Sequence, residues 1–143
     1  MRQLCPEYAA MGPPARILVI DDSDAIRNTL RLTLEFKGYE VAEARDGKEG
    51  LAMIQESDYD LVFCDLGMPG LDGIGLIEAV RRNPQRRSLP IIVLSAEERE
   101  AKRRALEAGA NASIDKPFSP RQVLHALEGM LRPRVERPQA GQA

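Results

Sequence analysis

The 143-residue chain has no tryptophan, one histidine and two cysteines, and its 20 Lys and Arg nearly balance its 22 Asp and Glu, for a net charge of −2. Long apolar runs are missing too. Without a stretch approaching the ~20 apolar residues that a bilayer requires, no membrane helix is expected. Residues 1–15 carry Arg2, Pro6, Glu7, Pro13 and Pro14 and no continuous apolar stretch, so they do not read as a signal peptide, and a cytoplasmic protein is expected. Cys5 falls in this segment and Cys64 in an apolar run, a pair with neither a disulfide framework nor metal spacing. The near-neutral balance gives no electrostatic case for nucleic-acid binding. The basic segments Arg81-Arg-Asn-Pro-Gln-Arg-Arg87 and Lys102-Arg-Arg104 lack stacking aromatics or a recognition helix and read as solvated faces. His125, between Gln122 and Glu128, reads the same way.

What is present, 43% hydrophobic and 29% charged residues, suits one soluble domain. Residues 1–15 and 132–143 are rich in Pro, Ala and Gln without periodicity and read as flexible tails, leaving residues 16–131 as the domain. Short apolar runs at 17–20, 39–44, 60–64, 90–94 and, weakly, 112–114 predict strands, and three of them are continuously apolar, as strands buried on both faces are. Helical patterns fall between them. In 23–37 Ile26, Leu30 and Leu34 recur every four residues before Gly38. Leu51 and Ile54 face inward from 48–56, and Leu76, Ile77 and Val80 follow Asp72-Gly73. Residues 97–108 have mostly Ala101, Ala105, Leu106 and Ala108 to bury, which makes this the weakest anchor. Ser119-Pro-Arg-Gln122 is a capping box opening a last helix with Val123, Leu124, Leu127 and Leu131. Five repeats of strand then helix predict an α/β fold: a doubly wound, five-stranded parallel sheet with helices on both faces.

In such sheets the chemistry lies beyond the carboxyl ends of the strands. The first strand delivers Asp21 and Asp22 there, the third Asp65, the fourth Ser95 and the fifth Asp115-Lys116-Pro117. Crowding Asp21, Asp22 and Asp65 stores repulsion that a divalent cation would relieve, and Mg²⁺ is the hard cation that binds through few carboxylates plus waters and phosphate oxygens. An Asp carboxylate can then attack phosphorus, provided that the charge on the transferring group is neutralised and its oxygens are held. Lys116 and Mg²⁺ would do the first, and the Ser95 hydroxyl with backbone N–H groups the second. Asp24 and Ser23 read simply as the start of a helix. Met68-Pro69-Gly70 reads as a turn, and Cys64 as a small buried hydrophobe.

These residues resemble the receiver domain of two-component response regulators, typified by the single-domain chemotaxis regulator. The resemblance covers about residues 16–131 and rests on Ile17-Leu-Val-Ile-Asp-Asp22, Asp65-Leu-Gly-Met-Pro-Gly-Leu-Asp-Gly73, Leu94-Ser-Ala96 and Asp115-Lys-Pro-Phe118, with Asp22, Asp65, Ser95 and Lys116 at intervals of 43, 30 and 21. It implies a flavodoxin-like fold with strand order 2-1-3-4-5. It further implies phosphorylation of Asp65 by a histidine kinase or phosphotransfer protein. Asp22, Asp65 and the main-chain carbonyl of Gly67 would ligate Mg²⁺, Asp21 would act through a bound water, and Ser95 and Lys116 would contact the phosphoryl group. The Lys116-Pro117 bond would be cis, and Gly67 and Glu97 would tune the lifetime of the phosphorylated state. One departure stands out. Where the family usually carries Tyr or Phe, three residues before the lysine, this chain has Ser113, a changed switch partner for Ser95.

The reading is therefore a signalling module, not an enzyme in the usual sense, that assists its own phosphorylation and dephosphorylation. With about twelve residues after the last helix, it is expected to stand alone and act in trans on an unknown protein target, without nucleic acid or membrane. An aspartate-nucleophile phosphohydrolase would need a second acid at position 67, which is Gly67. A flavodoxin-like cofactor protein would need hydroxyls and free N–H groups where Asp21 and Asp22 stand. A degenerate receiver, binding partners without phosphorylation, would not need the intact acidic set.

Overall fold

The computed structural model describes residues 13–67, 72–96 and 99–131. Strands and helices alternate throughout: β1 (Arg16–Ile20), α1 (Asp24–Phe36), β2 (Glu40–Ala44), α2 (Gly47–Glu56), β3 (Leu61–Asp65), α3 (Gly73–Arg82), β4 (Ile91–Ser95), α4 (Arg99–Ala108), β5 (Ala112–Asp115) and α5 (Pro120–Met130). All four pairings are parallel, in the order β2-β1-β3-β4-β5. The expected fold and strand order are both found.

Alternation along each strand splits the core in two. Ile17, Val19, Leu61, Phe63, Ile92 and Leu94 point to one face, against Leu30 and Leu34 of α1 and Val123 and Leu127 of α5. Leu18, Ile20, Val62, Cys64, Ile91 and Val93 point to the other, against α2, α3 and α4. β3 and β4 are buried at every residue, which is why their sequences show no polar alternation. Each fully buried Leu, Ile or Phe contributes about 1.5–3 kcal/mol, so these two layers hold the sheet edge rigid where the acids emerge.

Local signals act as the sequence implies. The side chains of Ser23, Asp46, Asp72 and Ser119 each accept an N–H from the first helical turn, and the Ser119–Gln122 capping box closes in both directions. α1 stops where Gly38 takes φ 97°.

Three expectations are corrected. Leu106 of α4 is 46% exposed, leaving Ala105 as that helix's one fully buried side chain, because the inward stripe of α4 falls on alanines. Ala15, assigned to the first tail, is 6% exposed and its carbonyl accepts the Glu40 N–H, so it belongs to the folded unit. The Arg81 to Arg87 segment is not simply a solvated face. Arg81 donates to the carbonyls of Gly109, Leu89 and Arg87 and to Asn111 Oδ1, and Arg86 donates to the Ile54 carbonyl near the end of α2 and to Asp58, so both guanidiniums satisfy main-chain acceptors at the ends of helices and in loops.

Candidate functional site

Parallel register brings the strand ends to one edge. Ile20 lies opposite Cys64, Asp65 opposite Leu94 and Ser95 opposite Asp115, so Asp21, Asp65, Ser95 and Lys116 emerge side by side. Asp21 is 0% exposed, Asp65 6% and Ser95 3%, while Asp22 is open to solvent. One carboxylate oxygen from each of Asp21, Asp22 and Asp65 lies within 4.8 Å of the others. Lys116 spans the group, with Nζ 3.1 Å from Asp21 Oδ2 and 3.0 Å from Asp65 Oδ1.

The backbone around these groups is tied down. Asp21 N–H donates to the Ala44 carbonyl at 3.2 Å, Leu66 N–H to Leu94 at 3.1 Å and Lys116 N–H to Ser95 at 2.7 Å. The Lys116-Pro117 bond is cis, as the resemblance implied. Gly73, at the start of α3, lies so close to β3 that a Cβ there would sit 2.7 Å from the Asp65 carbonyl oxygen.

Burial pushes the Asp21 carboxyl above its ordinary 3.8; the Ser23 N–H opposes this, Asp65's charge adds to it, and Lys116 does not restore it. For Lys116, burial alone would lower the ammonium, but its bonds to Asp65 and Asp21 outweigh burial and hold it above 10.5. Three carboxylates against one ammonium leave the ionised site short of two positive charges. A divalent cation would supply them, and a donor set of hard oxygens alone suits Mg²⁺. Burial drives the Cys64 thiol upward, and its Sγ lies 3.5 Å from the Asp65 carbonyl oxygen, so this cysteine is a protonated part of the core. A wider cleft of about 670 Å³, lined by Tyr59, Asp60, Pro90 and Leu131 among others, lies at the opposite ends of the strands, away from these acids.

The structure thus brings together Asp21, Asp22, Asp65, Ser95 and Lys116. Gly67 is exposed beside them with open space around its Cα, and Ser113 is half-buried on β5 opposite Val93. Glu97 and the turn at 68–70 lie outside the described residues. Sequence reasoning missed Arg27, whose guanidinium is buried beneath the Asp21-Asp22 turn and donates to the Asp21 carbonyl at 2.6 Å. The signal was present: position 27 shares the inward stripe with Leu30 and Leu34, where a charged residue needs a reason.

Among known proteins, residues 17–128 match the model of the response regulator receiver domain. The chain is 43% identical over 118 residues to the transcriptional regulatory protein ResD of Bacillus subtilis, covering 82% of this chain and 48% of that one. It spans about half the length of the curated relatives it matches. The chemotaxis response regulator CheY4 of Vibrio cholerae superposes with a TM-score of 0.79 at 37% identity, over 82% of this chain and 99% of that one. The response regulator TrrA of Thermotoga maritima, solved in complex with Mg²⁺–BeF, gives 0.74 at 31% identity, over 82% and 99%. Among the described residues no helix is long and apolar enough to cross a membrane. Receiver domains accept phosphate from histidine kinases in two-component systems and bind Mg²⁺ in an acidic pocket, and by its sheet order, its acid cluster and the match over residues 17–128 this chain belongs to the response regulator receiver domain family.

Proposed function

We propose that Asp65 is the phosphoacceptor of a signalling receiver whose donor is a histidine kinase or phosphotransfer protein. The observation that carries this reading is Lys116 bridging Asp21 and Asp65 inside a three-carboxylate cluster at the sheet edge. Lys116 engages one oxygen of Asp65, leaving the other to form the new O–P bond as the donor's N–P bond breaks and its electron pair returns to the imidazole. The Lys116 ammonium neutralises charge on the transferring group, and the Ser95 hydroxyl holds one of its oxygens. As the family resemblance implies, Asp22, Asp65 and the Gly67 carbonyl would hold Mg²⁺, with Asp21, whose oxygens take the Ser23 N–H and Lys116, engaged through a water. Bound there, Mg²⁺ would supply the positive charge that lets a carboxylate approach a phosphoryl group. The family is a signalling one and not a conventional enzyme family; self-assisted phosphoryl gain and loss are part of this proposal.

We further propose that residues 16–131 act as a stand-alone module in the cytoplasm, signalling to a protein target through a changed surface. This reading rests on the likeness in fold to CheY4, whereas half-coverage of ResD leaves the expected absence of a nucleic-acid role without support. Incubation with a small phosphodonor and Mg²⁺ should add one phosphoryl group detectable by mass, and Asp65→Asn should abolish it. Equal incorporation in the variant would sink the assignment.

A further inference from the structure

Between Ile20 and Asp24 the chain must place two adjacent carboxylates whose charges repel. Asp21 is fastened at four points: its N–H to Ala44 (3.2 Å), Oδ1 to Ser23 N–H (2.9 Å), Oδ2 to Lys116 (3.1 Å) and its main-chain carbonyl to Arg27 Nη1 (2.6 Å). Asp22 differs. It is exposed, and among the described residues nothing hydrogen-bonds its carboxylate. With no side-chain partner, the one fixed part of Asp22 is the Cα–Cβ bond that its backbone directs.

The carbonyl that Arg27 grips belongs to the peptide group joining Asp21 to Asp22, so the guanidinium fixes the plane from which the Asp22 side chain springs. Arg27 is itself over-determined: its side chain is 8% exposed, Nη2 meets Asp24, and Nε lies 3.2 Å from Glu43 of β2, whose other oxygen is held by Arg31 at 3.0 Å. The two ion pairs add little to stability by themselves, since their acidic partners Asp24 and Glu43 are 89% and 34% exposed. A guanidinium, however, can serve a carbonyl and two carboxylates at once in a fixed geometry.

We infer that Arg27 is a positioning residue for the metal half of the site: by holding the Asp21 carbonyl it aims the Asp22 carboxylate at the divalent cation. The inference rests on the Mg²⁺-dependent phosphoacceptor reading and adds a residue which neither cation nor phosphoryl group need touch. An arginine serving only the fold would alter melting temperature and leave the Mg²⁺ affinity of the folded protein unchanged.

Calorimetric Mg²⁺ titrations and small-phosphodonor rates, on the full chain, separate the two roles in wild type, Arg27→Lys, Arg27→Met and Asp22→Ala. Arg27→Lys keeps the charge but carries all its donors on one nitrogen and cannot span the acceptors that Nε, Nη1 and Nη2 reach, and should raise the Mg²⁺ Kd about tenfold, the lower end of what losing a group that orients a metal ligand costs. Its phosphorylation rate should recover at saturating Mg²⁺, a change in apparent affinity and not in turnover. Arg27→Met should show at least the same rise; should it fail to fold, Arg27→Lys decides alone. An Arg27→Lys Kd equal to that of wild type, with or without a lower melting temperature, overturns the inference while leaving the site reading intact. Asp22→Ala binding Mg²⁺ like wild type would instead overturn the site reading and this inference with it.

Discussion

Helices α1 and α4 begin just beyond residues of the same acidic edge, α1 after Asp22 and α4 after Ser95, yet they are anchored by different means. α1 buries Leu30 and Leu34 completely, starts on the Ser23 cap and drives Arg27 into the turn that carries Asp21 and Asp22. α4 buries one alanine completely, exposes Leu106, and reaches β5 through a Lys102–Asp115 ion pair at 2.9 Å whose partners are 29% and 64% exposed. Two buried leucines are worth about 3–6 kcal/mol, against a fraction of that for an alanine and ~0–1 kcal/mol for an exposed ion pair. Among the described residues the far end of α4 is the better fastened, where Gly109 turns with φ 125° and its carbonyl takes two bonds from Arg81. On the proposed reading, the β1–α1 side is the one firm enough to hold a cation in place. The β4–α4 side is the one expected to open more readily, since α4 buries few apolar side chains and such elements open at the lowest free energy.

The sharpest attack on this comparison is to remove the ligand on the firm side. Asp22→Ala should weaken Mg²⁺ binding by at least about tenfold and slow phosphorylation in step, since a carboxylate supplies charge to a hard cation as well as an oxygen. Lys116→Ala should act oppositely on the metal, leaving binding unchanged or tighter by freeing Asp21 and Asp65, while impairing phosphorylation or the response to it. Mg²⁺ titration of both variants decides it. If Asp22→Ala binds as wild type does, the metal is not held on the β1 side, and the difference between the two helices loses its functional meaning.

The contrast was partly legible in the sequence. Continuous apolar runs such as Ile91 to Leu94 fix buried parallel strands, and strands ending in Asp65 and Ser95 fix the contents of the site, because both signals are local. That α4 is weakly held also followed from its alanines. What sequence could not rank was side-chain reach. Arg81 and Arg86 look like surface charges on paper, but each runs to a backbone carbonyl that only the tertiary fold brings near, Gly109 for the first and Ile54 for the second, whereas Arg27, six residues from the Asp21 carbonyl it holds, is marked by its place on the inward stripe. Leu106 fell outside the stripe for a similar reason, since the rotation of a short helix with few apolar residues is set by what it packs on.

The movable side makes a structural prediction of intermediate size. Receivers of this family usually bury Tyr or Phe where this chain has Ser113, half-buried opposite Val93. Burial of such a ring removes ~150–250 Å² from water, several kcal/mol at ~25 cal/mol/Å², against the ~5.5 kcal/mol that moves an equilibrium from 1:99 to 99:1. Without the ring, the response to phosphorylation should rest on Ser95 and on displacement of α4, pivoting on its fastened end at Gly109. Backbone NMR shifts with and without a phosphoryl mimic should change most from Ser95 through Ala108. Changes centred on β5 and α5, with α4 unmoved, would overturn this and make the weak anchoring of α4 incidental.

The smallest effect expected concerns Gly67, which lies on the loop leaving β3, between the firm side and the movable one. Hydrolysis of an aspartyl-phosphate needs a water to reach phosphorus, and among the described residues nothing lies within 4 Å of a would-be Cβ at Gly67. The first carbon of a larger side chain is therefore accommodated there, and a melting temperature measured alongside separates access from damage to the fold. Gly67→Leu should therefore lengthen the phosphorylated state a few-fold, the effect of raising the hydrolysis barrier by ~0.5–1 kcal/mol. Its melting temperature should hold or rise slightly, because losing glycine restricts the unfolded chain. Decay followed after removal of the phosphodonor gives the lifetime directly. Unchanged or faster decay would show that water already reaches the phosphoryl group from another side, and the exposed gap beside Asp22 would then be the route to block next.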